Sequence, residues 1–460
     1  MGMLNSLSGY PEWLPEDRIV EQKLIKMIQD TFELYGFTSI ETRSVEPLDV
    51  ILSKGETDKE IYCLRRLQAT EEETDKGIGL HFDLTVPFAR YVLENRSKLT
   101  FPFRRYQIQK AWRGERPGLG RYREFLQADI DIVDSQALTI QSDIEILKVI
   151  SKILSLLPIP KTNLLINNRK LLEGFYRALE ISKIHEVLRL VDKLDKIGEE
   201  KVTRCLVDDL GLSSTAAEKC VQLGKIKGNQ AQEIQDLVKA FNLSHPLLTE
   251  GIDELCSVLK SLSESVGSNV IADLSIARGF DYYTGIVCEG KFADFPKYPT
   301  IAAGGRYDTL VSDKLIKLPG VGMSMGITRI LGLALHEGLI NASRQTPTCV
   351  LIALISEERR QQSFAIADIL RDRGIPCEVY PRPDKYGKQI SYADTKGIPY
   401  IWFPSENGDS TGEIRNLSKR EQQPDDPKVW EPTKDDLRVN IVKNSNAFQS
   451  ILENQKYCKK

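Results

Sequence analysis

From Arg121 to Val133 the chain alternates. Odd positions carry Arg121, Arg123, Phe125, Gln127, Asp129 and Asp131; even positions carry Tyr122, Leu126, Ala128, Ile130 and Ile132, with Glu124 the polar departure. Successive side chains leave a pleated backbone on opposite sides, so this alternation commits the region to a strand with one buried face. A polar outer face is ordinarily a solvated one. Here the arginines sit at one end, the acids at the other, and a single aromatic lies between. Guanidiniums grip phosphate through paired hydrogen bonds, and a flat ring can stack a purine. The pattern therefore favours a binding floor.

A second strand, Tyr106–Trp112, runs into Arg113-Gly114-Glu115, and the Pro- and Gly-bearing turn Glu115–Gly120 joins the two. Arg113 shares the parity of Arg105, Gln107 and Gln109, so the hairpin brings it opposite Arg121–Phe125 and several guanidiniums converge. Three further segments carry chemistry. In Leu80–Pro87, period two puts His81, Asp83 and Thr85 on one face; Asp83 either holds an ammonium group or caps the helix expected over Pro87–Leu93. The segment Ala277-Arg278-Gly279-Phe280-Asp281-Tyr282-Tyr283-Thr284-Gly285 places a cation, a carboxylate and two phenols after an apolar strand. By itself it reads equally as a plain turn or as an anion site. The glycine-rich run Pro319–Gly326 is read as a turn opening a helix to about His336, with Arg329 in its first turn, where a helix N-terminus attracts anions. It lacks the spacings of a P-loop or a dinucleotide fold.

The larger organisation follows from the change of period. Ile19, Leu24, Ile25, Ile28 and Phe32 predict a helix over 17–35, closed by Gly36. Short strands follow over 61–135, then a helix at Ser142–Leu156 broken by Pro158 and Pro160. Residues 161–265 read as almost wholly helical. Strands return at 269–289 and 300–311. After a polar linker at 337–346, strands at Cys349–Leu354, Glu378–Tyr380 and Tyr400–Phe403 alternate with helices at Glu357–Arg373 and Gln389–Lys396, which implies a small α/β domain with a mainly parallel sheet. The tail beyond about 443 is polar and expected to fray.

Composition excludes more than it proposes. The 460 residues allow two to four domains, and a net charge of −3 gives no general basic surface for nucleic acid. The eight cysteines show no C-x-x-C pair, and the four histidines (His81, His185, His245, His336) have no ligand spacing. Reduced thiols, a cytoplasmic location and no protein-held metal are expected. Met1–Asp30 has neither the apolar core of a signal peptide nor the acid-poor bias of a transit peptide, and no apolar run reaches the roughly 20 residues a spanning helix needs.

Taken together, these segments resemble the class II aminoacyl-tRNA synthetases, and within them the histidyl-tRNA synthetase family. Arg113-Gly114-Glu115-Arg116-Pro117 with Gly120-Arg121-Tyr122-Arg123-Glu124-Phe125 resembles the second signature motif of the class, and Gly320–Ile330 the third. Ala277–Gly285 and Gly304-Gly305-Arg306-Tyr307-Asp308 resemble histidyl-type segments, and Lys388–Asp394 a helix of the anticodon-binding domain. The resemblance spans about Tyr10 to Val442. It implies a multidomain α/β fold: an antiparallel sheet flanked by helices (1–160 and 268–336), a helical insertion (161–267), a C-terminal α/β anticodon-binding domain (347–442) and a tail (443–460).

The resemblance also implies roles. Arg113 would contact the ATP α-phosphate and the histidine carboxylate, Glu115 the adenine amino group, Phe125 the adenine face, and Arg329 the γ-phosphate, with Arg121 also at ATP. Asp83, Leu84 and Thr85 would receive the histidine ammonium, with Gln127 at that polar end; Asp131, Tyr282, Tyr283 and Tyr307 would surround the imidazole. Arg278 would sit at the α-phosphate, and Arg113, Arg278 and Gln127 would form the catalytic set. Mg²⁺ would be held mainly by phosphates. The partners implied are L-histidine, ATP, tRNA(His) through Arg116 and Lys388, and a second copy of the chain through residues 20–50. A site rich in arginine and poor in bases suits attack at a phosphate, which needs charge neutralisation more than proton transfer. For the transfer to tRNA, an adenylate phosphate oxygen and Gln127 both remain candidate proton acceptors. Departures from the family pattern are Gly118-Leu119 in the motif turn, Thr328 for an acid, Arg43 for a proline, Thr309 for a glycine and His81 for an arginine. The competing reading is a non-catalytic, histidine-sensing regulatory paralogue, which would be expected to lack the anticodon-binding domain and parts of the ATP apparatus.

Overall fold

The computed structural model describes residues 6–52, 60–68, 77–266, 269–277, 282–447 and 449. They form two compact units, one built mainly from Leu24–Ala334 and the other from Glu12–Lys23 together with Leu335–Phe448. The first is built on a nine-stranded sheet. Its order is Thr38–Ser39, Phe103–Trp112, Glu124–Val133, Lys317–Gly326, Ala302–Ser312, Ile286–Phe292, Thr162–Asn168, Val270–Asp273 and Lys227–Gly228. The run from Phe103–Trp112 to Thr162–Asn168 is antiparallel throughout; Thr38–Ser39 joins Phe103–Trp112 in parallel, Val270–Asp273 joins Thr162–Asn168 in parallel, and Lys227–Gly228 pairs antiparallel with Val270–Asp273.

The helix Pro15–Leu34 buries Val20, Leu24, Ile28 and Phe32, four residues one turn apart, and ends just before Gly36 at φ +77°. Glu124–Val133 keeps the predicted alternation: Ala128, Ile130 and Ile132 are buried on one side, and the polar odd residues face the other.

Four expectations need correction. The region 161–265 is not helical from its start, since Thr162–Asn168 is a strand inside the sheet, between Ile286–Phe292 and Val270–Asp273. Pro158 and Pro160 stop the helix before it, Leu164 and Ile166 alternate into the core, and the Asn168 side chain accepts from the Lys170 N–H to begin the next helix. The segment after Leu80 is not a strand. It turns there, and a helix spans Thr85–Asn95. The linker at 337–346 contains the strand Ile340–Ala342, which pairs with Ile441–Lys443.

The fourth correction concerns the glycine-rich run, which is a sheet strand, Lys317–Gly326, and the helix Ile327–His336 begins only after it. Its even residues Gly320, Gly322, Ser324 and Gly326 face the polar side of Glu124–Val133, in register with Val133, Asp131, Asp129 and Gln127. A Cβ on Gly322 would lie 1.9 Å from Asp131 Oδ1, and one on Gly320 would lie 2.2 Å from the Tyr307 ring. The glycines are there because neighbouring side chains occupy the space theirs would need.

The second unit carries a five-stranded sheet: Cys377–Val379, Val350–Ile352, Tyr400–Pro404, Gly412–Asn416 and Glu421–Asp425. The first three strands are parallel, as expected, and an antiparallel hairpin extends them. Val350, Ile352 and Trp402 pack on one face with Ile366 and Leu370; Leu351, Ile401 and Phe403 pack on the other with Tyr380 and Ala393. Gln389 pins the helix Tyr386–Lys396 to the sheet, exchanging hydrogen bonds with the Leu354 N–H (3.0 Å) and C=O (2.9 Å).

Candidate active site

A cleft of about 270 Å³ opens over the polar face of the first sheet. Ten of the residues expected in the site line it: Asp83, Thr85, Arg113, Glu115, Arg121, Phe125, Gln127, Tyr282, Tyr283 and Arg329. They come from five separate stretches of chain.

One end is cationic and aromatic. The hairpin carries Arg113 over the Phe125 ring, with its guanidinium carbon 5.2 Å from the centroid. Its Nε donates to the Phe82 carbonyl at 3.0 Å, and one terminal nitrogen stands 3.8 Å from Glu115. Arg329 leaves the first turn of Ile327–His336 and reaches back over the sheet, donating to the carbonyls of Gly120 (2.7 Å) and Thr300. Tyr298 buttresses this end by donating to the Arg329 carbonyl at 2.6 Å.

The other end is polar, acidic and phenolic. Asp83 lies at the mouth of the helix Thr85–Asn95 and accepts from the Val86 N–H at 3.0 Å, so it caps the helix and lines the cleft at once. Burial pushes its carboxyl up, against the pull of that N–H, Arg113 and His81. The Tyr282 and Tyr283 rings tilt against each other at 4.4 Å, hydroxyl to hydroxyl at 3.5 Å. Burial pushes Tyr282 up to about 12 and holds Tyr283 well above the ordinary phenol value, so both stay neutral.

Beneath this end lies a buried polar layer. Arg105, fully buried, pairs with Asp131 at 2.7 Å and sits 4.0 Å over the Phe88 ring. Tyr307 donates to the other Asp131 oxygen at 2.7 Å. Burial raises the Asp131 carboxyl, opposed by Arg105 and the Tyr307 hydroxyl; Asp129 beside it is pushed up to about 7 by burial, with Arg105 opposing and Asp131 adding to the rise. Gln127 donates to Ser324 Oγ at 3.0 Å, and Ser324 donates in turn to Asp129.

The remaining expected residues lie elsewhere. Asp131 and Tyr307 are under the cleft and not in its wall, each engaged with the other. Leu84 is fully buried at the start of the helix Thr85–Asn95, where it is core. Arg116 is exposed on the hairpin turn, and Lys388 belongs to the second unit, paired with Asp384 at 3.0 Å. Arg278 falls outside the described residues, as do Gly279, Phe280 and Asp281 of the same segment. Among the departures, His81 is buried with Nε2 at 2.7 Å from the Lys110 carbonyl, Thr328 accepts the Leu126 N–H at 2.7 Å, and Arg43 pairs with Glu46 at 2.9 Å. Residues not anticipated include Tyr122, Ser324 and the 300–303 stretch, all lining the cleft. Strict alternation had assigned Tyr122 to the apolar face, but the regular strand begins only at Glu124. Ser324 was concealed in a run read as a turn opening a helix.

An antiparallel sheet whose hairpin and glycine strand carry an arginine-lined cleft, with a parallel α/β unit after it, is the architecture of a class II aminoacyl-tRNA synthetase. The chain belongs to the histidyl-tRNA synthetase family. It matches the family described as histidyl-tRNA synthetase over residues 9–330 and the one described as anticodon binding domain over residues 349–424. It is 50% identical over 426 residues to the histidine–tRNA ligase of Thermobifida fusca, covering 92% of this chain and 97% of the relative. With the histidine–tRNA ligase of Cutibacterium acnes it shares 46% over 452 residues, 96% of this chain and 99% of that one. The crystal structure of histidyl-tRNA synthetase from Nostoc sp. superposes with a TM-score of 0.81 at 30% identity, covering 98% of this chain and 99% of that one. An ATP phosphoribosyltransferase regulatory subunit/histidyl-tRNA synthetase from Bacillus halodurans shares the fold, with a TM-score of 0.70 at 18% identity over 85% of this chain and 96% of that one.

Proposed function

We propose that this chain activates L-histidine with ATP and transfers it to tRNA(His), as a histidine–tRNA ligase. The observation that carries the reading is one continuous cleft in which Arg113, Phe125 and Arg329 form a nucleotide end and Asp83, Gln127 and the two tyrosines form an amino-acid end. In the first step a histidine carboxylate oxygen attacks the ATP α-phosphorus and pyrophosphate leaves. In the second, the 3′-terminal ribose hydroxyl of the tRNA attacks the histidyl carbonyl, and AMP leaves.

Adenine stacks on Phe125 with its amino group at Glu115, Arg113 lies between the α-phosphate and the carboxylate, and Arg329 and Arg121 take the trailing phosphates. Fixed guanidiniums need no reorganisation as charge moves from the α-phosphate to the leaving group. Asp83 and Thr85 receive the ammonium; bringing a cation to a buried carboxyl also restores its charged form. The neutral phenols of Tyr282 and Tyr283 hydrogen-bond the imidazole, while Asp131 and Tyr307 act from below by holding the Arg105 layer in place. Arg278 is assigned to the α-phosphate by its family motif. Mg²⁺ would be carried mainly by the ATP phosphates, whose oxygens are the ligands this ion usually takes at a nucleotide site. We place Arg116 and Lys388 at the tRNA, a second copy of the chain against residues 20–50, and the enzyme in the cytoplasm. No helix among the described residues is long and apolar enough to cross a membrane.

Histidine-dependent exchange of pyrophosphate into ATP tests the reading. Wild-type protein exchanges with histidine and with no other standard amino acid, and Arg278→His nearly abolishes exchange while leaving the thermal melt unchanged. A folded wild-type protein without exchange would favour the regulatory paralogue; normal exchange by Arg278→His would remove Arg278 from the α-phosphate.

A further inference from the structure

On the cleft-facing side of Lys317–Gly326, Ser324 alone carries a side chain between Gly320 and Gly326. The glycines at 320 and 322 are explained by Tyr307 and Asp131, whose atoms fill the space their side chains would need. Ser324 lines the cleft between Gln127 and Asp129. A serine hydroxyl has one proton to give and lone pairs to receive. The proton goes to the Asp129 carboxylate, so the oxygen that meets Gln127 is an acceptor. Only the NH₂ end of the Gln127 amide satisfies it; reversed, the amide would set oxygen against oxygen. Gln127 Oε1 is thereby turned away from Ser324, and it is buried with no hydrogen-bond partner while Gln127 itself lines the cleft.

We infer that Ser324 is a positioning residue for amino-acid binding: its hydroxyl, polarised by Asp129, holds the NH₂ end of the Gln127 amide and so keeps the buried, unpartnered oxygen as the acceptor for the ammonium group of the substrate. The inference rests on the reading of this cleft as the histidine site. A side-chain amide free to rotate presents either an oxygen or an NH₂ group, and the NH₂ repels an ammonium. Fixing the direction beforehand removes the cost of selecting it on binding.

The test pairs Ser324→Ala with removal of the ligand's own amine. Calorimetry at pH 8 compares L-histidinol, which has the ammonium and imidazole, with 3-(imidazol-4-yl)propanoate, which lacks the amine. Ser324→Ala is expected to weaken histidinol about tenfold and to change the amine-free ligand by less than about twofold. In exchange assays it raises KM for histidine with KM for ATP and kcat little changed. Equal weakening of both ligands would mean a merely structural role and overturns the inference, as does no weakening of either. Wild-type protein that binds neither histidine nor histidinol overturns the histidine site and this inference together; wild-type binding with an indifferent Ser324→Ala overturns this inference alone.

Discussion

Asp129 is held where its charge is costly. Its carboxyl titrates near 3.8 in an unfolded chain and at about 7 in the fold, where burial outweighs the attraction of Arg105 and the Ser324 hydroxyl, and Asp131 and Asp83 repel it. Between those values the folded protein keeps a proton the unfolded chain has lost. Stability contributed by this group therefore falls as pH rises from about 4 to 7 and is level above that. Asparagine has no such titration. The melting temperature of Asp129→Asn relative to wild type is expected to climb by a few degrees between pH 5 and pH 8; a difference that stays constant with pH contradicts the assignment. Tyr307 makes a second residue-scale case. Tyr307→Phe strips the hydroxyl that donates to Asp131 and leaves a buried carboxylate oxygen short of a partner, a loss of about 1–3 kcal/mol readable by urea denaturation.

At the scale of elements, what was legible depended on whether side chains announced the backbone. The hairpin around Arg113 and Phe125 was legible because polar and apolar residues alternate along Glu124–Val133, and the same parity placed Gln127, Asp129 and Asp131 on one face. Lys317–Gly326 was not, because Gly320, Gly322 and Gly326 give one face no pattern at all; the reason for that blank face lies on Tyr307 and on Asp131, far away in sequence. Thr162–Asn168 was submerged in helices on its C-terminal side. Asp83 had two readings that do not exclude each other, since it accepts from the Val86 N–H at the helix start and also lines the cleft. Leu84 was drawn into the site only by adjacency to Asp83 and Thr85. The glycine strand makes its own prediction. In Gly322→Ala the new Cβ meets Asp131 Oδ1 at 1.9 Å and the Ile130 carbonyl oxygen at 2.8 Å, and a strand in mid-sheet cannot step aside. The variant should lose about 1–3 kcal/mol of stability and much of its histidine affinity, because Asp131 and the Arg105 layer must shift. A variant with wild-type melting and wild-type KM would show that the stripe is not required.

At the scale of the molecule, the proposed function assigns different steps to the two units. Asp83, Arg113, Gln127 and Arg329 all belong to the first, so exchange should be insensitive to changes in the second, while tRNA charging should depend on both. Lys388→Ala should leave pyrophosphate exchange unchanged and raise KM for tRNA(His) in aminoacylation; loss of exchange would contradict the separation. The central claim is that one cleft holds ATP over Phe125 and histidine over Gln127 in line for reaction. The most direct measurement is a crystal structure with a non-hydrolysable histidyl-adenylate analogue. The account predicts adenine stacked on Phe125, the phosphate mimic on Arg113, the ammonium between Asp83 and Gln127 Oε1, and the imidazole at Tyr282 and Tyr283. An analogue bound with its adenine away from Phe125, or with its imidazole at the Arg329 end, would contradict it.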